Sequence, residues 1–332
     1  MNARRTRRIA AAVGALSLTA VLAACGGTAE TEAGANPSAI EDPTISIAVP
    51  NSLNGLSAHV AAEQGQFEDA GLSAEFVAVT AASEVVPAML SGQVDFGMVD
   101  VTTTTIAVSK NVPIVAVAPN SVAAEPVDGR GYGNLLVTED SDLTDLSQLE
   151  GRTVGMSGLQ SQAWVDIRTV IDEAGADSSK VEFVEIPGPR ALGALLQDQV
   201  DVAAIAEPRA GMAVRDEPVR ILAPTENPLT GTPSYLFVVS KDYLANNPGT
   251  VAAFEQAILA ANSATNEDRA MAEQVAAGYT EVPAEVLATS VFPTFGEESL
   301  SDDQLQDPIR RAIDYGLVSE DGAPEAADLL GK

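Results

Sequence analysis

From Thr44 onward, short β-branched apolar runs alternate with longer stretches whose apolar residues recur at helical spacing. Ile45–Val49 is such a run, stopped by Pro50-Asn51-Ser52, and predicts a buried strand. A helix through Leu53, Leu56, Val60 and Phe67 should follow and end near Gly71. Further strands are predicted at Ala74–Val79, Asp95–Val99 and Pro113–Ala118. Between them, Ser83–Ser91 reads as a helix with Val85, Val86, Met89 and Leu90 on one side and Gly92 as its stop. Thr102–Ser109 reads as another, although its four threonines favour strand. A second series has strands at Leu135–Val137, Thr153–Met156, Val181–Ile186, Val202–Ala206 and Val219–Leu222, with helices at Ser161–Ala174 and Ala191–Gln197. Strands alternating with helices predict parallel sheets with right-handed crossovers.

The two series are copies of one pattern. Gln93-Val94-Asp95-Phe96-Gly97 aligns with Gln199-Val200-Asp201-Val202-Ala203, Glu75-Phe76-Val77 with Glu182-Phe183-Val184, and Ile45–Val49 with Thr153–Met156, each about 107 residues apart. Two similar lobes facing each other enclose a cleft, and clefts hold small ligands. Pro119–Gly133 and Pro224–Pro233 are rich in Pro and Gly and are the expected crossings between lobes. Tyr235–Ser240 should then return to the first lobe as a strand. Lobe one is expected to comprise 44–124 plus 235–332, and lobe two 125–234. The C-terminal part is expected to be helical: Asn247 caps, Pro248 takes the first position, and Val251, Phe254, Ile258 and Ala261 share a face. A last helix lies within Ser301–Tyr315, with Pro308 as its kink or its start, and the final residues are expected to be disordered.

Ahead of this body, Arg4, Arg5, Arg7 and Arg8 precede an apolar run, Ile9–Ala24, too short to span a bilayer comfortably. Residues 1–24 therefore read as a signal peptide. The arginine pairs also suit twin-arginine export, which leaves the choice of pathway open. Leu22-Ala23-Ala24-Cys25-Gly26 resembles a bacterial lipobox, which makes Cys25 the expected lipidation site and membrane anchor. Cys25 is the only cysteine, so the chain has no disulfide, thiol nucleophile or cysteine metal site. Residues 26–43 carry almost no large apolar side chains and read as a flexible tether, about 23 Å long as a coil. The net charge is −29; without the leader, 14 basic residues face 47 acidic ones, or −33. Nucleic-acid binding is excluded, because there is no basic patch to neutralise phosphates. The acids are spread along the whole chain, as solubility or salt adaptation would also require.

Several segments, in order, resemble the solute-binding proteins of ABC importers that include receptors for alkanesulfonates, taurine, nitrate and thiamine-pyrimidine precursors. They are Ala61-Ala62-Glu63-Gln64-Gly65-Gln66-Phe67-Glu68-Asp69-Ala70-Gly71-Leu72, Met89-Leu90-Ser91-Gly92-Gln93-Val94-Asp95-Phe96-Gly97, Leu146-Ser147-Gln148-Leu149-Glu150-Gly151-Arg152-Thr153-Val154-Gly155, and Glu207-Pro208. The resemblance covers roughly 45 to 317. It implies an α/β type II periplasmic-binding-protein fold, two lobes joined by two hinge crossings. It also implies a membrane permease as partner, driven by a separate ATPase, since no Walker A motif is present here. A monomer without cofactor or catalytic residues is expected.

In open α/β sheets ligands sit beyond the carboxyl ends of the strands. That rule selects Asn51, Ser52 and Asn54, then Asp100, Thr102 and Thr103 in lobe one, with Thr80 as a further candidate. In lobe two it selects Ser157-Gly158-Leu159-Gln160-Ser161-Gln162 and Glu207-Pro208-Arg209, with Ser157, Gly158, Gln160, Ser161 and Glu207 as the candidate contacts. Each stretch opens a helix whose free N–H groups can hold an acceptor, but Ser52, Thr102 and Ser161 also suit plain N-caps. Asp100 and Glu207 stand at nearly matching positions, and both facing the cleft would favour an amine, amidine, amino-pyrimidine or hydroxyl-bearing solute. Arg209 pairing with Glu207 would cancel half of that preference. Trp164, the only tryptophan, could stack on a planar ligand or simply pack. His59, the only histidine, reads as a solvated or lobe-edge residue, and one histidine without a free cysteine makes a zinc site improbable.

The leading expectation is a lipid-anchored receptor for a nitrogenous or zwitterionic solute, such as a taurine-like sulfonate or an amino-pyrimidine. Fourteen aromatics in all disfavour a cage for a large planar one. An enzyme related to yeast-type thiamine-pyrimidine synthase would need a cofactor-binding lysine, and Lys110, Lys180 and Lys241 follow no strand end of the predicted cleft. A sensor for a membrane signalling partner is the third reading.

Overall fold

The computed structural model describes residues 39–79, 82–225 and 230–331. The leader, Cys25, most of the tether and Thr80 lie outside them. In chain order the strands are β1 Thr44–Pro50, β2 Ser73–Val79, β3 Phe96–Asp100, β4 Ile114–Pro119 and β5 Ser121–Val122. They continue as β6 Gly133–Thr138, β7 Thr153–Met156, β8 Glu182–Glu185 and β9 Val202–Ala206, then β10 Val219–Pro224, β11 Tyr235–Ser240 and β12 Thr294–Phe295.

Two five-stranded sheets carry the two lobes, ordered β2-β1-β3-β11-β4 and β10-β6-β9-β7-β8. β1 is parallel to β2 and β3, and β7 is parallel to β8 and β9. These are the three strand pairs that the internal repeat aligns. The registers match too: Ile47 faces Phe96 and Ala48 faces Gly97, as Val154 faces Val202 and Gly155 faces Ala203. The fourth place in each sheet is taken by an antiparallel strand that leaves a crossing. β11 lies between β3 and β4, and β6 lies between β9 and β10. The sheets are thus mixed rather than purely parallel.

Apolar residues cover both faces of each sheet, as buried α/β strands require. In lobe one Phe96, Met98, Phe237 and Val239 pack on one side with Phe254 and Ile258, while Val99, Leu236 and Val238 face the other with Leu305 and Leu329. In lobe two Leu135, Val137 and Val154 face Ile167 and Ile171, while Leu136 and Ala203 face Leu195. Gly97 keeps β3 close to its covering helix: a Cβ there would meet Val85 Cγ1 at 2.3 Å. Helix Asp302–Asp314 starts at Ser301 with a capping box to Gln304, so Pro308 lies inside it and does not start it. The final residues are ordered, contrary to expectation: helix Ala326–Leu330 buries Leu329 in the lobe-one core. Among the described residues no helix is long and apolar enough to cross a membrane.

Candidate functional site

A cavity of about 240 Å³ lies between the lobes. Lobe one contributes Asn54, beyond β1, and Tyr235 at the start of β11, with Ser234 at the end of the crossing before it. Lobe two contributes Ser157 just after β7, Ala206 at the end of β9, and Tyr132 and Gly133 at the start of β6. The crossing from Ser121 to Val127 and the segment Val291–Thr294 close it, and Gln162 and Asp166 project from helix Gln162–Glu173. The cavity thus sits at the carboxyl ends of parallel strands and the amino ends of the two inserted ones.

One polar network joins the lobes beside this cavity. The Asp100 carboxylate accepts from Thr103 N at 2.9 Å, capping helix Val101–Ser109, and from Gln162 N of the other lobe at 3.0 Å. Thr102 Oγ1 donates to Gln162 Oε1 at 2.6 Å, and Gln162 Nε2 donates to Asp166 Oδ1 at 2.7 Å. Gln162 is therefore held at three points and fixes the Asp166 carboxylate in turn. Burial pushes the Asp100 carboxyl up despite these hydrogen bonds. Burial likewise pushes the Tyr132 phenol up to about 12, against hydrogen bonds to the Ser52 side chain and the Asn54 backbone, and raises Tyr235.

The sequence-selected residues divide. Asn54 and Ser157 line the cavity. Asp100 and Thr102 form the network, and Thr103 N donates to the Asp100 carboxylate that caps helix Val101–Ser109. Ser161 caps its helix by accepting from Trp164 N at 3.4 Å and also bonds the Gly158 carbonyl. Gln160 and Asn51 are exposed, and Gln160 has φ of 59°. Ser52 makes no cap; its carbonyl accepts from Tyr279 Oη at 2.8 Å. Glu207 is fully buried, paired with Arg130 and accepting from Gly211 N at 3.2 Å, so it does not line the cavity. Its partner is Arg130 from the crossing and not Arg209. Trp164 packs against Phe183 and Tyr315, with the Arg168 guanidinium 4.7 Å over its ring, and is no cavity wall. His59 is not solvated: it stacks between Phe76 and Tyr279 with centroids 4.3 and 3.8 Å away, and its Nε2 is buried without a hydrogen-bond partner.

Sequence reasoning reached Gln162 at the end of the Ser157–Gln162 stretch but missed Tyr132, Asp166 and Tyr235. Gln162 and Asp166 carried a signal, four residues apart on one face of a helix that opens at a strand end. Tyr132 and Tyr235 sit where the crossings become strands, and only the strand exchange brings them together. A second interlobe contact lies away from the cavity. Arg311 Nη1 donates to Thr169 Oγ1 at 2.7 Å, and Tyr315 Oη donates to Asp172 Oδ2 at 2.9 Å. No metal-ligating cluster of His, Cys, Asp and Glu occurs among the described residues.

Comparison with known proteins agrees with this architecture. A profile described as NMT1/THI5-like matches residues 54–271, and the chain belongs to that family. A formylaminopyrimidine-binding protein of Halalkalibacterium halodurans is 26% identical over 137 residues, which are 41% of this chain and 39% of that protein. The alkanesulfonate-binding protein of Xanthomonas axonopodis pv. citri, bound to MOPS, superposes with a TM-score of 0.70 at 18% identity, over 87% of this chain and 99% of that one. The nitrate-binding protein of Synechocystis PCC 6803 gives a TM-score of 0.67 at 14% identity, over 86% of this chain and 85% of that one. The fold is the periplasmic-binding-protein fold, with two α/β lobes joined by two crossings.

Proposed function

We propose that this chain is the extracytoplasmic solute-binding receptor of an ABC importer. Its lobes, 44–124 with 235–332 and 125–234, capture one small polar organic solute, nitrogenous or zwitterionic, and deliver it to a permease driven by a separate ATPase. The observation that carries this is the cavity itself, with walls from both lobes and a size suited to a small molecule. Asn54 and Ser157 are its proposed ligand contacts among the residues selected from sequence. The names of the formylaminopyrimidine- and alkanesulfonate-binding relatives support the same class. The burial of His59 between two aromatic rings, outside the cavity, supports binding without catalysis.

Calorimetry with a broad solute panel should give saturable binding at one molecule per chain, with a ligand-dependent rise in Tm. If no solute does so, this reading is lost. We further propose that Cys25 is lipidated and holds the protein, as a monomer, at the extracytoplasmic face of the cell membrane. Cys25→Ala should move the protein from the membrane fraction to the soluble one, and an unchanged distribution would refute the anchor.

A further inference from the structure

The lobes meet along one helix as well as around the cavity, and on the receptor reading that contact governs entry. We infer that the chain closes on itself: helix Gln162–Glu173 is a seam that holds the lobes together without a solute, and a solute enters only when the seam parts. The helix belongs to lobe two, yet side chains along most of its length are fastened to lobe one. At its start, Gln162 N donates to the Asp100 carboxylate at 3.0 Å, and Gln162 Oε1 accepts from Thr102 Oγ1 at 2.6 Å. Further along, Thr169 Oγ1 accepts from Arg311 Nη1 at 2.7 Å, and Asp172 Oδ2 accepts from Tyr315 Oη at 2.9 Å. Between these ends the Arg168 guanidinium lies 4.7 Å from the Trp164 ring of its own helix and 4.5 Å from the Tyr315 ring of lobe one. From Gln162 to Asp172 the seam is about 15 Å long.

Burial decides which state these contacts favour. Asp100, Thr102, Gln162, Thr169 and Arg311 are each 8% exposed or less. Their bonds across the boundary exist only while the lobes are together, and no solute atom is needed to complete them. Each such bond favours the closed form about fivefold. The two crossings alone would leave one lobe free to rotate on the other, and the seam adds a tie made of side chains. Gln162, a cavity wall, is thus set in place before a solute arrives. The seam slows entry, because only the parted form admits a solute, and it slows release, because the filled form is held shut by the same bonds.

The test uses the unliganded full chain. In hydrogen exchange the Gln162 amide reads the seam, because its acceptor lies in lobe one. The Ile167 and Ile171 amides read the integrity of the helix, since both side chains are buried in the core of lobe two. Acrylamide quenching of Trp164, the only tryptophan, reads the seam a second way, because its ring packs on Tyr315. The native chain should show a protected Gln162 amide and a shielded Trp164. Thr102→Val combined with Thr169→Val keeps both side-chain shapes and removes a hydroxyl at each end of the seam. It should speed Gln162 exchange at least tenfold and raise quenching, while Ile167 and Ile171 stay slow. Thr102→Ser combined with Thr169→Ser keeps the hydroxyls and should restore native protection. An unprotected Gln162 amide in the native chain overturns the inference, and so does native protection in the folded valine pair. Equal acceleration at Gln162, Ile167 and Ile171 also overturns it, since the contacts would then hold the helix and not the lobes. No solute takes part, so this outcome is separate from the calorimetric panel that tests the receptor reading.

Discussion

Asp100 ends β3 and Glu207 stands one residue beyond the equivalent point at the end of β9, and the molecule treats the two carboxylates in opposite ways. Asp100 caps a helix in its own lobe and reaches across to Gln162 of the other. Glu207 turns inward to Arg130 and Gly211, and its side chain is fully buried. One carboxylate is held by neutral donors, the other by a cation together with one N–H. Symmetry of sequence therefore fixes where a side chain starts, while the partner supplied by a crossing decides its role.

The contrast makes graded predictions. Arg130→Ala should have the largest effect, about 3 kcal/mol in chemical denaturation, because it strands a buried carboxylate. Arg130→Ala with Glu207→Gln should recover part of that loss, and equal losses would show that the ion pair is not what matters. Asp100→Ala removes the acceptor of two N–H donors, one of them the helix cap, and should cost about 2 kcal/mol, whereas Asp100→Asn, itself a good cap, should cost less. If Asp100→Ala costs as much as Arg130→Ala, the distinction between a neutral and an ionic partner collapses.

His59 sharpens the comparison by accounting for acid sensitivity that is not due to carboxylates. Burial lowers its pKa to about 4, below the ordinary 6.5. Between these values the unfolded chain binds a proton that the native chain refuses, so stability falls as pH falls from 6.5 toward 4. The partly shielded ring should contribute on the order of 1 kcal/mol there. His59→Phe should flatten that part of the stability–pH curve, and an unchanged slope would assign it to other groups. The smallest effect belongs to Tyr315→Phe, which removes the hydrogen bond to Asp172 while keeping the ring beside Arg168. A loss of about 0.5 kcal/mol is expected, with solute affinity unchanged. A tenfold change in affinity would instead tie this distant edge to the cavity.

Much of the architecture was legible because periodicity reports burial. The repeat identified the strand pairs β1/β7, β2/β8 and β3/β9, and their apolar runs gave their sheets. The insertion of β6 and β11 was not legible as pairing, since an apolar run does not say which neighbours it joins or in which direction. The site was legible only at its strand ends. Asn54 and Ser157 followed from the rule about strand termini, but Tyr132, Tyr235 and Asp166 depend on contacts far apart in the chain. His59 looked like a surface residue because nothing near it in sequence announces Phe76 and Tyr279.

The inserted strands also bear on how the chain is made. During synthesis from the N-terminus, β3 and β4 emerge early, yet the strand that bridges them is residues 235–240. Until the ribosome has delivered that segment, the first sheet has a gap in its middle with two unpaired rims. Those rims are open to the wrong strand. A nascent chain paused before residue 235 should thus be the species that most needs chaperone cover.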